Sequence, residues 1–98
     1  MSRPARFKFR LHVAGDTANS VRAIANLAAL CREYLPERHD IEVVDVFKDS
    51  KRAMADGVLM TPTLIKLAPA PVRRIVGTLS DTQAVLHALG LDAHGLAA

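Results

Sequence analysis

From Arg6 to Val13, apolar and polar side chains alternate strictly: Phe7, Phe9, Leu11 and Val13 share one side, Arg6, Lys8, Arg10 and His12 the other. A period of two predicts a strand with one buried face. Ala14-Gly15-Asp16-Thr17 then supplies residues suited to a turn and a helix start. Beyond it Val21, Ile24, Leu27, Ala28, Cys31, Tyr34 and Leu35 recur at steps of three and four. That spacing predicts an amphipathic helix of about four turns, stopped at Pro36. Ile41, Val43, Val44 and Val46 predict a second strand with little room for polar residues. The polar stretch Asp49 to Asp56 predicts a short helix ended by Gly57. Thr61 to Leu67 and Val72 to Val76 predict two more strands, joined at a sheet edge by Pro69-Ala70-Pro71. Ser80-Asp81-Thr82-Gln83 has the form of a capping box, with Ser80 accepting from the Gln83 amide. Val85, Leu86 and Leu89 then give a last helix its apolar face, and Gly90 ends it.

The predicted order is βαβαββα in a four-stranded mixed sheet. A right-handed parallel unit comes first and an antiparallel hairpin follows. No repeat or change of composition divides the chain, so residues 1–98 are expected to form one domain, with 1–5 and 93–98 flexible.

Composition narrows the class. A chain of 98 residues that is 50% hydrophobic carries enough apolar mass for one modest core. Charged residues at 23% are ordinary for a globular domain. Cys31 is the single cysteine, which excludes an internal disulfide and a multi-cysteine zinc site and fits a reducing cytoplasm. The basic start lacks an apolar run of signal-peptide length, because Lys8, Arg10 and His12 interrupt the next stretch. No segment approaches the roughly 20 apolar residues that span a bilayer. A net charge of +3 attracts polyanions weakly, but 4% aromatic content and no Trp argue against a nucleic-acid platform. Steering of an acidic protein partner is the better use of that charge.

The order βαβαββα is that of the minimal thioredoxin fold. Thr61-Pro62-Thr63-Leu64 is similar to that fold's proline element before the third strand, which makes Pro62 a structural residue with a cis bond. More specifically, the chain resembles the KaiB family of circadian-clock proteins. The resemblance rests on Leu11 to Gly15 with Asn19-Ser20-Val21-Arg22-Ala23, on Val44-Asp45-Val46, and on Ala55-Asp56 followed by Thr61 to Leu64. Most specific is Pro69-Ala70-Pro71-Val72-Arg73-Arg74-Ile75-Val76-Gly77 with Leu79-Ser80. These motifs span residues 7 to about 89 in order.

The resemblance implies a non-catalytic adaptor that binds a KaiC-type ATPase in a phosphorylation-dependent way. A KaiA-like protein and a sensor histidine kinase are further partners it implies. It also implies two folds: a thioredoxin-like, binding-competent monomer, and a resting tetramer whose second half is wired differently. Ala88 stands where the cyanobacterial pattern has Gly, and Gly90 where it has Asp. Within a helix Ala is better than Gly by about 1 kcal/mol, and Gly suits a helix end. Both departures favour the last helix, so the thioredoxin-like form is the expected resting state, with a dimer or tetramer as the other possibility.

Other chemistries fit less well. Thioredoxin-type redox work needs a low-pKa cysteine at the first helix start, where this chain has Gly15-Asp16-Thr17-Ala18-Asn19-Ser20. Cys31, on the apolar stripe, reads as a buried structural thiol. His12, His39, His87 and His94 lack metal-ligand spacing and read as surface histidines. Asp45 and Asp49 read as strand-end and helix-start residues. No phosphate loop or cofactor motif is present. Lys8, Arg10 and His12 lie on a sheet face under the short second helix, where two readings compete: a docking surface, or a solvated face balanced by carboxylates such as Glu42. Arg22, Arg73 and Arg74 fall in the stretches that carry the resemblance and join Lys8 and Arg10 as partner-binding candidates. The competing reading of Arg73 and Arg74 is protection of an edge strand. The rival function is a thioredoxin-like sensory module for a histidine kinase or stress-response partner.

Overall fold

In a computed structural model, which describes residues 5–92 and 94–96, the alternation of the first segment becomes strand β1, Phe7–Val13. Phe7, Phe9, Leu11 and Val13 are all buried on one face of it. Helix α1, Ala18–Tyr34, returns the chain to strand β2, His39–Asp45. A short helix α2, Ser50–Ala55, leads to strands β3, Thr63–Ala68, and β4, Arg73–Val76, and helix α3, Thr82–Ala88, follows. Strand order is β2-β1-β3-β4, with β1 parallel to β2 and antiparallel to β3, and β3 antiparallel to β4. The predicted βαβαββα mixed sheet is the observed one, in the thioredoxin-like wiring.

The core joins the apolar face of β1, Leu64 of β3, and the buried stripes of α1 and α3. Cys31 is fully buried in it, and burial pushes the thiol up to about 12. That is an inert structural cysteine. The stripe of α1 is rotated from expectation. Ala23, Leu27, Leu30 and Cys31 face the core, whereas Val21 is 52% exposed and Ile24 is 37% exposed. A three-four spacing allows neighbouring stripes on one helix, and the small Ser20 and Ala23 are fully buried on the stripe that packs. Strand β2 also differs. It begins earlier, at His39, carries Asp40 and Glu42, and buries only Val44. As an edge strand it needs no second buried face.

Both short helices depend on capping. Asp49 opens α2, its side chain accepting from the Arg52 amide at 3.3 Å. At the other end, the Gly57 amide donates to Met54 O and the Val58 amide to Ala53 O. The start of α3 corrects the capping-box reading. Asp81, not Ser80, is the N-cap, accepting from the Ala84 amide at 3.1 Å, while Ser80 Oγ lies 3.1 Å from Thr78 Oγ1. An ionised Asp is a stronger acceptor for a helix start than a hydroxyl one position earlier. The exit of α3 is a Schellman motif: Gly90 at φ +77° donates to His87 O at 3.0 Å, and Leu91 donates to Leu86 O at 2.8 Å. Leu86 and Leu91 are both buried, supplying the apolar contact that accompanies this motif.

The peptides before Pro62, Pro69 and Pro71 are cis. Residues 94–96 form a turn in which Asp92 Oδ1 accepts from the His94 and Leu96 amides. The expected flexibility of residues 1–4, 93, 97 and 98 falls outside the described residues. Among the described residues, no helix is long and apolar enough to cross a membrane.

Candidate docking surface

Because side chains alternate along a strand, the sheet register sorts the candidate arginines. Arg10 lies across from Ile65, and Ile65 across from Arg74, so Arg10 and Arg74 share the face that α2 covers. Phe9 pairs with Lys66 and Lys66 with Arg73, which puts Arg73 on the opposite, core-side face. Arg22 is exposed on α1, the helix packed on that core side. The five candidates Lys8, Arg10, Arg22, Arg73 and Arg74 therefore do not form one patch. Lys8, Arg10 and Arg74 go together.

On the α2 side, Arg10 is held from two directions. Its Nε donates to Glu42 Oε1 at 2.8 Å, and its Nη1 donates to Asp56 Oδ2 at 3.1 Å. Arg52 Nη2 reaches the same Glu42 oxygen at 2.7 Å. Arg52 and Arg10 together bring the Glu42 carboxyl down to about 2. Asp56, just past the end of α2, is the hub of this face. His12 Nε2 donates to its Oδ2 at 2.7 Å, and that bond, followed by Arg10, holds the Asp56 carboxyl below its ordinary range. Arg74 Nη2 donates to the Asp56 carbonyl.

His12 is thus not a surface histidine. It is fully buried, and its Nδ1 has no hydrogen-bond partner among the described residues. Of the two readings of this face, balance by carboxylates describes Arg10, and Asp56 is the partner that sequence reasoning missed. A signal for it existed, because a helix ended by Gly57 under β1 places its C-cap residue against the basic side of that strand. Lys8 remains exposed, opposite Asp40 in the register. Arg6 grips Asp40 with two bonds of 2.7 Å.

Arg74 borders a different surface. Leu59 is 96% exposed, Met60 63% and Val76 54%, and together with Val58 and Thr63 they line a shallow groove of about 240 Å³ beside Arg74. Met54 on α2 is exposed as well. Scattered apolar residues are ordinary on a surface, but apolar side chains gathered around a cation resemble the core and rim of a protein interface.

Asp45 and Asp49 have the structural roles expected of them. Asp45 Oδ1 accepts from the Gly15 and Phe47 amides at 3.1 and 2.9 Å, and Asp49 caps α2. Among the described residues, no three His, Cys, Asp or Glu side chains are placed to hold a metal ion.

Comparison with known proteins agrees with this geometry. Thioredoxin-like structures superpose on most of the chain. Mitochondrial thioredoxin 3 from Saccharomyces cerevisiae gives a TM-score of 0.70 at 16% identity, covering 89% of this chain and 80% of its own. The N-terminal domain of SasA from Synechococcus elongatus gives 0.69 at 16% identity, covering 91% and 88%. At that identity the likeness concerns the fold. Closer in sequence is circadian clock protein KaiB3 of Synechocystis, 41% identical over 89% of this chain and 83% of its own. The circadian clock oscillator protein KaiB of Synechococcus elongatus is 44% identical over 94% of this chain and 88% of its own. The KaiB domain model matches residues 10–91, and the chain accordingly belongs to the KaiB family of circadian clock proteins.

Proposed function

We propose that this protein is a non-catalytic adaptor that binds a KaiC-type ATPase and regulates its phosphorylation cycle, as part of a clock or simpler timer. One observation carries the reading: a KaiB-family chain presents exposed Leu59, Met60 and Val76 around Arg74 on its second half. Apolar side chains supply the desolvated centre of a docking site, and Arg74, which bonds the Asp56 carbonyl rather than a carboxylate, supplies charge that orients an acidic partner. Lys8 extends that charge along the same face, whereas Arg22 and Arg73 lie outside it. The setting of such a partner is the cytoplasm. A KaiA-like protein or a sensor histidine kinase is a further partner for the same module.

The binding-competent form is the thioredoxin-like one, and Ala88 and Gly90 favour it before any partner arrives. A partner that selects a conformer already dominant loses no affinity to a conformational equilibrium. Pro62, buried before β3, belongs to the same framework.

The test is size-exclusion chromatography with light scattering, run alone and with the host's KaiC-type ATPase in unphosphorylated and phosphomimetic forms. The expected result is a monomer alone and co-elution selective for one phosphorylation state. Arg74→Ala and Leu59→Ser are each expected to weaken the complex by about tenfold, the loss of one interface anchor, with Arg22→Ala near neutral. Absence of a complex in both states would contradict the proposal. A complex with a histidine kinase instead would move the function to the sensory module.

A further inference from the structure

At the opposite edge of the core lies a second cavity of about 290 Å³, formed where the start of β1, the Pro69–Pro71 turn and the end of α3 meet. Its walls are largely apolar, with Phe7, Pro69, Leu89 and Leu91 among them, and two cations enter it, Lys66 and Arg38. Lys66 sits on the core side of β3, in line with Leu64, and is only 3% exposed. Both charges stand against one aromatic ring: Lys66 Nζ is 5.7 Å and the Arg38 guanidinium 6.0 Å from the Phe7 centroid.

Neither cation has a carboxylate within salt-bridge distance among the described residues. Lys66 Nζ donates to Leu89 O at 3.4 Å, and Arg38 donates to the carbonyls of Ala5 and Gly95 at 3.3 Å each. Removing an ammonium from water is costly unless an anion or several good acceptors replace the lost hydration. One long bond to a carbonyl is a weak replacement. Burial, aided by the nearby charge of Arg73, accordingly pushes the Lys66 ammonium below its ordinary pKa. The polar face under α2 differs sharply, since each buried or half-buried cation there meets a carboxylate.

We propose that this cavity binds a small organic anion, its carboxylate between Lys66 and Arg38 and its apolar body against Phe7, Pro69 and Leu91. The volume stands at the lower end of ligand pockets, which suits a compound of benzoate to phenylpropionate size. The bound anion would supply the charge partner that both cations lack among the described residues. It would also link β1 and β3 to the Leu89–Leu91 end of α3, so occupancy would stabilise α3 in its present position. The site is separate from the groove beside Arg74 and does not depend on the identity of the protein partner.

The experiment is a titration of the 15N-labelled full chain with benzoate, 3-phenylpropionate and neutral benzamide at constant ionic strength, followed by amide shifts. Saturable shifts confined to Phe7, Lys66 and Leu89 to Leu91 are expected with both carboxylates, and benzamide is expected to bind at least about tenfold more weakly, having no charge for the cations. Lys66→Met and Arg38→Gln are each expected to weaken carboxylate binding at least about tenfold. Arg38→Gln also decides the matter if Lys66→Met fails to fold, because among the described residues the Arg38 side chain donates only to the carbonyls of Ala5 and Gly95. Equal binding of benzamide, non-saturating shifts spread over the surface arginines, or unchanged affinity in Arg38→Gln would each overturn the site. So would binding of a short acidic peptide by this cavity when both small carboxylates fail.

Discussion

The two halves of this chain reach the same sheet by different means. In the first half, a helix of 17 residues and two seven-residue strands form a βαβ unit, and β1 is buried along one whole face. In the second half, helices of six and seven residues flank a hairpin whose outer strand has four residues. Helices that short are not stable on propensity alone, so they persist through caps and through a few anchoring side chains. Exposed apolar side chains are also unevenly shared. Val21, Ile24, Val43 and Phe47 are exposed before residue 50, whereas Met54, Leu59, Met60, Val72 and Val76 are among those exposed after it, with Leu59, Met60 and Val76 lining one groove. The first half is a scaffold of long elements that contributes β1 and α1 to the one core. The second half is held by caps together with anchors such as Leu64, Leu86 and Leu89 in the shared core, and it carries the surface proposed for docking.

The largest expected effect follows from the anchors. Leu86 is 1% exposed in α3, and Leu86→Ala is expected to lower unfolding free energy by about 2–4 kcal/mol in urea denaturation. Val21→Ala in α1, at a half-exposed position, is expected to change it by less than about 1 kcal/mol. Equal losses would erase the proposed difference between anchored and redundant apolar positions.

Next in size is reversal of the α3 changes. Ala88→Gly combined with Gly90→Asp places a flexible residue at the last position of the helix and a side chain at φ +77°. The double variant is expected to lose about 1–2 kcal/mol of α3 stability, most of it from the strained side chain, and to shift toward an oligomer by light scattering. A monomer with unchanged helical shifts would show that these positions do not decide the wiring.

The smallest effect concerns the ion pairs of the α2 face. Arg52 and Arg10 lower the Glu42 carboxyl from 4.5 to about 2, so its stabilisation is fully present above pH 4.5 and disappears as pH falls toward 2. Asp56, lowered chiefly by His12, acts in the same direction. Glu42 is 46% exposed, and solvent screening keeps its share small. Urea midpoints are expected to fall between pH 5 and pH 2.5, with a shallower slope in Glu42→Gln. An identical slope in that variant would remove Glu42 from the account.

Legibility in the sequence follows the same division. Strand β1 and the overall element order were readable because strict alternation and three-four spacing report burial directly. The facing of α1 was not, since Val21, Ile24 and Ala23 all satisfy a helical stripe and only packing against Leu11 and Leu64 selects among them. The α3 cap was misplaced by one residue because Ser80 and Asp81 are both good caps and local pattern does not rank them. Sorting of the arginines required register: Arg73 and Arg74 are neighbours in sequence and lie on opposite faces of the sheet. Lys66 was legible in principle, since alternation puts it with Leu64 on the core side. Its meaning depends on the contacts of the fold, which bring no carboxylate to it among the described residues.

The most direct measurement is the set of backbone amide and carbon chemical shifts of the free protein over residues 81–89. Helical shifts from Thr82 to Ala88, a break at Gly90, and a monomeric mass in the same buffer are expected. Strand shifts across that stretch, in a tetramer, would contradict this and would make the thioredoxin-like form a state that the partner must select.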